Sequence, residues 1–122
     1  MVRFRNSYQV SPAVYLHWSG SEVPVLVADT ARIMRTRLND AEYACARFVF
    51  VCCDANGGWN DNVSVGVTHH FESHGDAGLF EVDVRSWPWK LKHMAMSGYA
   101  PNMEQLSAEQ SEAVVLEVVD VL

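Results

Sequence analysis

Long apolar segments are missing from this sequence of 122 residues. The longest apolar run, residues 48–53, is far too short for a membrane-spanning helix, which needs about 20 residues. The basic stretch of residues 1–10 contains no continuous apolar run of the kind found in a signal peptide. We therefore expect a cytoplasmic protein that has no membrane partner.

Cysteine is also scarce, and its three positions, Cys45, Cys52 and Cys53, include no C-x-x-C pair. A structural zinc site usually takes its ligands from such pairs, which disfavours a zinc-stabilised fold. On a helix Cys45 and Cys52 would share one face, where a reduced cysteine packs as a small apolar residue. The sequence predicts that these cysteines belong to the core and that folding needs neither a disulfide nor a metal.

Familiar enzyme signatures are missing as well. The sequence has no G-x-S-x-G nucleophile motif, no H-E-x-x-H zinc motif and no phosphate-binding P-loop. Glu81 and Asp83 are expected on one face of a strand, and this is more typical of a solvated strand face than of an acid/base pair. These observations lean against an enzyme, and no cofactor is predicted.

Basic residues end at Lys92, whereas acidic residues continue. Residues 1–47 hold six Arg and four acids, a balance of +2, while residues 48–122 hold three basic residues and eleven acids, a balance of −8. The five acids after Lys92 are Glu104, Glu109, Glu112, Glu117 and Asp120. Such a surface repels phosphate, so we expect no direct binding of nucleic acid. It suits a partner protein with a basic surface, although an acidic face that only keeps the protein soluble is the simpler alternative.

The first part of the sequence predicts a strand followed by two helices. Residues 14–18 are rich in β-branched and aromatic side chains, which is typical of a strand, and a Ser-Gly-Ser turn follows. Pro24 suits the first turn of a helix, whose apolar residues recur at helical spacing as far as Leu38. Asn39 or Asp40 can cap a second helix, which runs from Asp40 to about Cys53. Because this helix is apolar on nearly all sides, we expect it to lie deep in the fold.

Three strands and a terminal element are predicted in the second part. Residues 63–67 and 79–84 alternate between apolar and polar side chains, and residues 87–92 form a third strand that Pro88 limits to an edge position or to its start. Residues 107–110 resemble a capping box, and the valines after them suit either a helix or a strand. The order of elements predicts one α+β domain over residues 1–122, with an antiparallel sheet packed against two central helices and a C-terminal helix or strand.

One segment, THHFESHGDAG at residues 68–78, holds three of the five histidines and two carboxylates. Imidazole nitrogens with a nearby carboxylate are the ligands that zinc and similar metals prefer. The candidate metal ligands are His69, His70, His74 and Asp76, with His17 or His93 as further candidates. The two adjacent histidines point to opposite faces of an extended chain, so the loop would have to curl for the ligands to converge. A polar loop between two strands, with Gly and Asp supplying the turn, is the simpler alternative.

The four tryptophans divide into two groups. Trp59 lies among Gly and Asn residues that cannot bury it locally, so we predict that it is an exposed anchor for a partner, since Trp is enriched in binding hot spots. Trp87 and Trp89 flank Pro88 and project to one face of an extended chain, where they suit the edge of the core better than a binding site.

Three segments of the sequence resemble a loosely defined set of small accessory proteins from bacteriophages and prophages. They are SPAVYLHWSGS at residues 11–21, NVSVGV at 62–67 and GDAGLFEVDVRSW at 75–87, which leads to SGYA at 97–100. Small acidic phage proteins of this kind are often inhibitors, and several anti-CRISPR proteins block a nucleic-acid-binding surface with clustered acids. The resemblance therefore implies an inhibitor of a host protein.

The first hypothesis is a non-enzymatic phage or mobile-element protein that binds and inhibits a host defence or regulatory protein in the host cytoplasm. Its predicted partner-binding residues are Trp59, Glu104, Glu109, Glu112, Glu117 and Asp120. The alternative is a small metal-dependent enzyme or metal-binding protein built on the histidine segment, in which a metal ion would activate water or hold a substrate oxygen. A structural phage component is a third hypothesis.

Overall fold

The structure, a computed structural model, describes residues 1–16, 22–55, 65–72, 78–95, 101 and 103–120. Within these residues the chain forms a single α+β domain with a six-stranded mixed sheet and three α-helices. The strands are β1 (Val2–Arg5), β2 (Ala13–Leu16), β3 (Val65–Thr68), β4 (Leu79–Asp83), β5 (Trp89–Ala95) and β6 (Val114–Asp120). The helices are α1 (Val23–Arg32), α2 (Ala41–Ala55) and α3 (Ala108–Ser111), with 3₁₀ turns at Arg35–Arg37 and Met103–Gln105. In the part of the chain described here, no helix combines the length and the apolar character needed to cross a membrane.

The strands lie in the order β3-β2-β1-β4-β5-β6. β1 runs parallel to β4 and β5 runs parallel to β6, whereas the other neighbours are antiparallel. The prediction of a purely antiparallel sheet is therefore wrong. Parallel neighbours need a long crossover connection, and both parallel pairs have one, with α1 and α2 between β1 and β4 and with α3 between β5 and β6.

The strand predicted at residues 63–67 is confirmed over residues 65–67, and residues 63 and 64 lie outside the described part of the chain. β3 lies at one edge beside β2, and two strands separate it from β4. β4 and β5 pair with each other, as consecutive strands. Pro88 immediately precedes β5, and a proline is tolerated at a strand start because its missing N–H is not needed there. The alternation in β1, where Val2 and Phe4 are buried and Arg3 and Arg5 are partly exposed, marks a strand that we did not predict.

Both predicted helices are present, with ends that differ from the expected ones. Pro24 lies in the first turn of α1, but the helix ends at Arg32 rather than near Leu38, and Arg35 then adopts a positive φ of 55°. α2 begins at Ala41, and the Asp40 carboxylate accepts a hydrogen bond of 3.0 Å from the Tyr43 N–H. This carboxylate satisfies one of the free N–H groups at the helix start.

α2 is not buried on all sides, so that prediction is wrong. Ala44, Cys45, Phe48 and Cys52 form its buried stripe, whereas Phe50 is 61% exposed. The composition of α2 conceals this stripe, because apolar side chains also occupy its outer face.

The terminal segment is a short helix followed by a strand. The predicted capping box is confirmed: the Gln110 N–H donates to the Ser107 hydroxyl, and the Gln110 side chain accepts from the Ser107 N–H. The helix it starts has only four residues, and the valines that follow belong to β6. The strand alternative for this segment is therefore the right one.

The core lies between the sheet and the helices. Phe4 contacts the rings of Phe48 and Trp89 edge to face, with centroids 5.4 and 6.0 Å apart. Trp89 is fully buried, and its indole Nε1–H donates to the Leu38 carbonyl at 2.9 Å. Trp87, in contrast, is 49% exposed, so the two tryptophans do not share one face.

Tyr15 and Gly66 provide a test of the β2–β3 edge. They are direct partners in register, and a Cβ added to Gly66 would lie 2.0 Å from the Tyr15 Cζ. We expect Gly66→Ala to lower the free energy of unfolding by about 1 kcal/mol, because the ring must leave this contact. In a Tyr15→Ala background the same change should cost much less. Chemical denaturation of the four proteins measures both values, and equal costs in the two backgrounds would contradict the ring contact.

Candidate functional site

The face of the sheet opposite the core carries charged side chains. Successive strand residues point to opposite faces, so Val2 and Phe4 enter the core while Arg3 and Arg5 point the other way. We call this surface the charged face. Its members are Arg3 and Arg5 of β1, Glu81 and Asp83 of β4, Lys90 and Lys92 of β5, and Glu117 of β6.

Glu81 is the centre of the charged face. It lies beside Arg3 in register, and its carboxylate accepts a hydrogen bond of 2.8 Å from the Arg3 Nε. Nη2 of Arg3 is 2.6 Å from the same oxygen, and Nη1 of Arg5 is 3.5 Å from the other. The residue is only 7% exposed. Two guanidinium groups therefore compensate one carboxylate that the fold has removed from water.

Asp83 is held in a similar way by Arg85. The Arg85 Nε donates to both carboxylate oxygens, at 2.9 and 3.0 Å, and the backbone N–H of Arg85 donates at 3.0 Å. The side-chain hydrogen bond from Arg85 keeps the pKa of Asp83 below its usual value. The ionised Asp83 therefore contributes fully to the stability of the fold above the pKa that it has in the unfolded chain. This contribution is lost as the pH falls through the lower pKa of Asp83 in the folded protein.

The expectation that Glu81 and Asp83 form a solvated face is wrong. They do share one face of β4, but they are 7% and 4% exposed. Arginine side chains from β1 and from the residues after β4 cover them. The arginines hold both carboxylates in place, and the hydrogen bonds from Arg85 favour the ionised form of Asp83, which is typical of a structural role.

The histidine segment begins beside the charged face. The ring of Phe71 stacks against the Arg3 guanidinium, with 4.0 Å from Cζ to the ring centroid, so the chain after β3 lies over β1. His69 and His70 are exposed there. His93 is fully buried on the core face of β5 and stacks on Phe80 at 4.5 Å, far from the solvent that surrounds the other two.

The metal prediction remains a prediction. Of its candidate ligands, His74, Asp76 and the more distant His17 lie outside the described residues. Within residues 1–16, 22–55, 65–72, 78–95 and 103–120, no three His, Cys, Asp or Glu side chains are grouped so as to hold a metal ion.

The acids predicted to bind a partner lie around β6. Glu104, Glu109 and Glu112 are exposed on the segment that precedes this strand, and Glu117 is exposed on the charged face. Glu109 bonds Arg32 of α1 at 2.8 Å, while Gln110 donates to Asp29 of the same helix at 2.9 Å. The structure thus places the acids on both sides of β6 rather than on one face. Trp59 and the Asp120 side chain lie outside what is described.

Sequence reasoning missed three arginines that lie on or beside the charged face. Arg3, Arg5 and Arg85 were noted only as charges, although the alternation of Val-Arg-Phe-Arg in β1 could have indicated a strand with a basic face. The partner of Arg3 and Arg5 could not be predicted in this way, because the parallel pairing of β1 with β4 leaves no local pattern in the sequence, whereas Arg85 lies two residues from its partner Asp83.

The three cysteines are reduced, and Cys45 and Cys52 are buried as predicted. Burial raises the pKa of Cys45, and burial together with the neighbouring Cys53 raises the pKa of Cys52 to about 12. A thiolate is the nucleophilic form of cysteine, so neither buried thiol is prepared for nucleophilic chemistry.

The raised pKa gives a direct test of the cysteine environment. At pH 8 we expect Cys52 of the folded protein to react with an aromatic disulfide reagent at least ~1000-fold more slowly than in the unfolded chain, since its thiolate is rare and inaccessible. Mass spectrometry of modified peptides after increasing times assigns each rate. Rapid modification of Cys52 under native conditions would contradict its burial in α2.

A second test concerns the Glu81 cluster. We expect Glu81→Ala to lower the free energy of unfolding by about 2 kcal/mol, because it leaves two arginines without their carboxylate. The cost is moderate because the Arg3 and Arg5 side chains are 31% and 37% exposed and regain water. Asp54→Ala, at an exposed position near the end of α2, is the control and should change stability by less than about 0.5 kcal/mol. A double-mutant cycle with Arg3→Ala should give a clear coupling energy, and strict additivity would show that the pair is not formed.

Comparison of the chain with protein-family models, with curated proteins and with solved structures gives no match.

Proposed function

We propose that this chain is a non-enzymatic phage or mobile-element protein that binds a host defence or regulatory protein and competes there with nucleic acid. The observation that carries the proposal is the charge of the segment that forms one edge of the domain. From Met103 to Asp120 this segment contains five acids and no Lys or Arg. An exposed acidic edge attracts a basic surface, including one that normally holds nucleic acid.

The neighbouring elements leave much of this charge available. Glu109 pairs with Arg32 of α1 at 2.8 Å. Glu112 follows α3 at its C-cap, and Glu117 lies on β6 beside Lys92 without an ion pair in the described part of the chain. Negative charge therefore extends from the end of α3 onto the outermost strand.

The charged face supports a protein partner over a nucleic acid. Two of its cations, Arg3 and Arg5, and the neighbouring Arg85 are each within 4.0 Å of a carboxylate of this same chain. Guanidinium groups that are already paired with carboxylates are poor ligands for phosphate, since an added phosphate would have to displace the carboxylate. These three arginines are thus used within the fold, whereas Glu104, Glu109, Glu112 and Glu117 of the last segment are exposed.

The test uses two variants of equal charge. The first changes Glu104, Glu109, Glu112 and Glu117 to Gln. The second is a control that changes the exposed residues Glu22, Glu42 and Glu72 to Gln and Asp54 to Asn. Each variant moves the net charge from −6 to −2, because four acids are neutralised.

Immobilised protein is first used to recover a partner from a bacterial host lysate at ~0.05 M salt, and the purified partner is then assayed for its association rate at this and higher salt. We expect the first variant to associate roughly tenfold more slowly than the unchanged protein and the control to associate almost normally. The recovered partner should also lose nucleic-acid binding when the unchanged protein is added. An association rate that is insensitive to salt and equal in the three proteins would refute the acidic surface.

A further inference from the structure

Strand β6 presents a row of backbone groups that no described residue uses. It pairs in parallel with β5, with Val114 opposite Trp89. The Trp89 N–H donates to the Ala113 carbonyl at 3.0 Å. The backbone N–H and C=O groups of every second residue after Ala113 therefore also point toward β5. The N–H and C=O groups of Leu116 and Val118 therefore point away from β5. Among the described residues β6 is the last strand of the sheet, so these groups form its outer edge.

The side chains of β6 are apolar except for Glu117 at its centre and Asp120 at its end. Val115 is 46% exposed and Val119 is 36% exposed, and both lie on the charged face with Glu117 between them. Seven residues with this composition can receive a further strand, because the backbone groups are free and the flanking valines favour extended pairing. Peptide segments bind other sheets by adding a strand in this way.

The direction of the free groups gives Glu117 a particular position. In an added antiparallel strand, Leu116 and Val118 would form the hydrogen-bonded pairs. Glu117 would then stand at a non-hydrogen-bonded position, where opposite Cα atoms are only about 4.5 Å apart and side chains are closest. The residue opposite Glu117 would therefore be selected by its charge, because opposite charges stabilise such a pair and like charges destabilise it.

A second copy of this chain fits the edge poorly. Self-pairing that uses the whole of β6 is centred on Glu117 and places the two carboxylates directly opposite each other. Shifting the register by two residues along the strand leaves each carboxylate opposite a valine and shortens the paired region. Each chain also has a net charge of −6, which opposes association of two copies.

We propose that β6 accepts an extended segment of a partner protein as a seventh, antiparallel strand, with Lys or Arg opposite Glu117 and apolar residues opposite Val115 and Val119. This inference rests on the proposed function, which assumes a basic partner protein, and it adds the way in which that partner binds. It predicts the pattern apolar-x-basic-x-apolar in the bound segment.

The experiment uses two synthetic peptides, SVTKTVS and SVTETVS, which differ only at the residue that would face Glu117. Binding is measured by amide hydrogen exchange and by NMR titration of the whole chain. We expect the Lys peptide to slow exchange of the Leu116 and Val118 amides, while the Val115 and Glu117 amides, already bonded to β5, change little. The Glu peptide should bind roughly tenfold more weakly. The variant Glu117→Lys should reverse this preference, and Asp54→Asn on α2 should keep it.

Tethering each peptide to the protein allows its binding to be detected even if the free peptide binds weakly. Each peptide sequence is also attached after Leu122 through a flexible Gly/Ser linker, which raises its effective concentration to about the millimolar range. Slower exchange at Leu116 and Val118 that depends on the Lys supports the proposal. No slowing in the tethered Lys form overturns it, as does equal slowing by both peptides. Slowing at these two amides in the unmodified protein as its concentration rises, with a matching increase in sedimenting mass, would assign the edge to a second copy instead.

These outcomes separate this inference from the proposed function. If the tethered Lys form shows no slowing but the host partner still associates in a salt-dependent way that needs the four acids, only the seventh strand is wrong. If the peptides bind as expected but the host partner is indifferent to the acids, the edge accepts a basic strand and the proposed acidic surface is wrong.

Discussion

The parallel pairing of β1 with β4 joins the two halves of this sheet. β3, β2 and β1 lie on one side of the joint, and β4, β5 and β6 lie on the other. Val2 stands beside Phe80 and Phe4 beside Val82 on the core side, while Arg3 stands beside Glu81 on the charged face. A shift of one residue would carry the arginines into the core, because strand residues alternate between faces. This register therefore buries the apolar side chains of β1 in the core and at the same time pairs its arginines with Glu81.

Folding also brings together charges that are far apart in the sequence. The excess of arginine in the first 47 residues is partly neutralised by acids of the second part, since Arg3 and Arg5 hold Glu81 and Arg32 holds Glu109. The arginines that follow α1, Arg35 and Arg37, stay exposed. Of the acids that follow Lys92, Glu104, Glu109, Glu112 and Glu117 are exposed.

Local patterns predicted the elements better than their arrangement. Pro24, Asp40 and the Ser107–Gln110 capping box act within a single turn of helix, so their signals do not depend on the rest of the fold. The neighbours of β1 and β6 depend on contacts between distant segments, and no local pattern reveals them. For the same reason the sequence could place Glu81 and Asp83 on one face of a strand but could not show that arginines of the distant β1 cover Glu81. The valines of β6 satisfied both a helical and a strand period, and only their pairing with β5 decides between the two.

The joint between β1 and β4 has a consequence for how the chain acquires its structure. Arg3 and Glu81 are separated by 78 residues along the chain. Contacts of such long range slow folding, because the entropy of closing the intervening loop is lost before the contact forms. At a synthesis rate of roughly 5–20 residues per second, β1 exists for several seconds before β4 is made. During that interval β2 is the only neighbour of β1 in the finished sheet that has already been made. The other edge of β1, with its two arginines, is without its partner strand until β4 is synthesised.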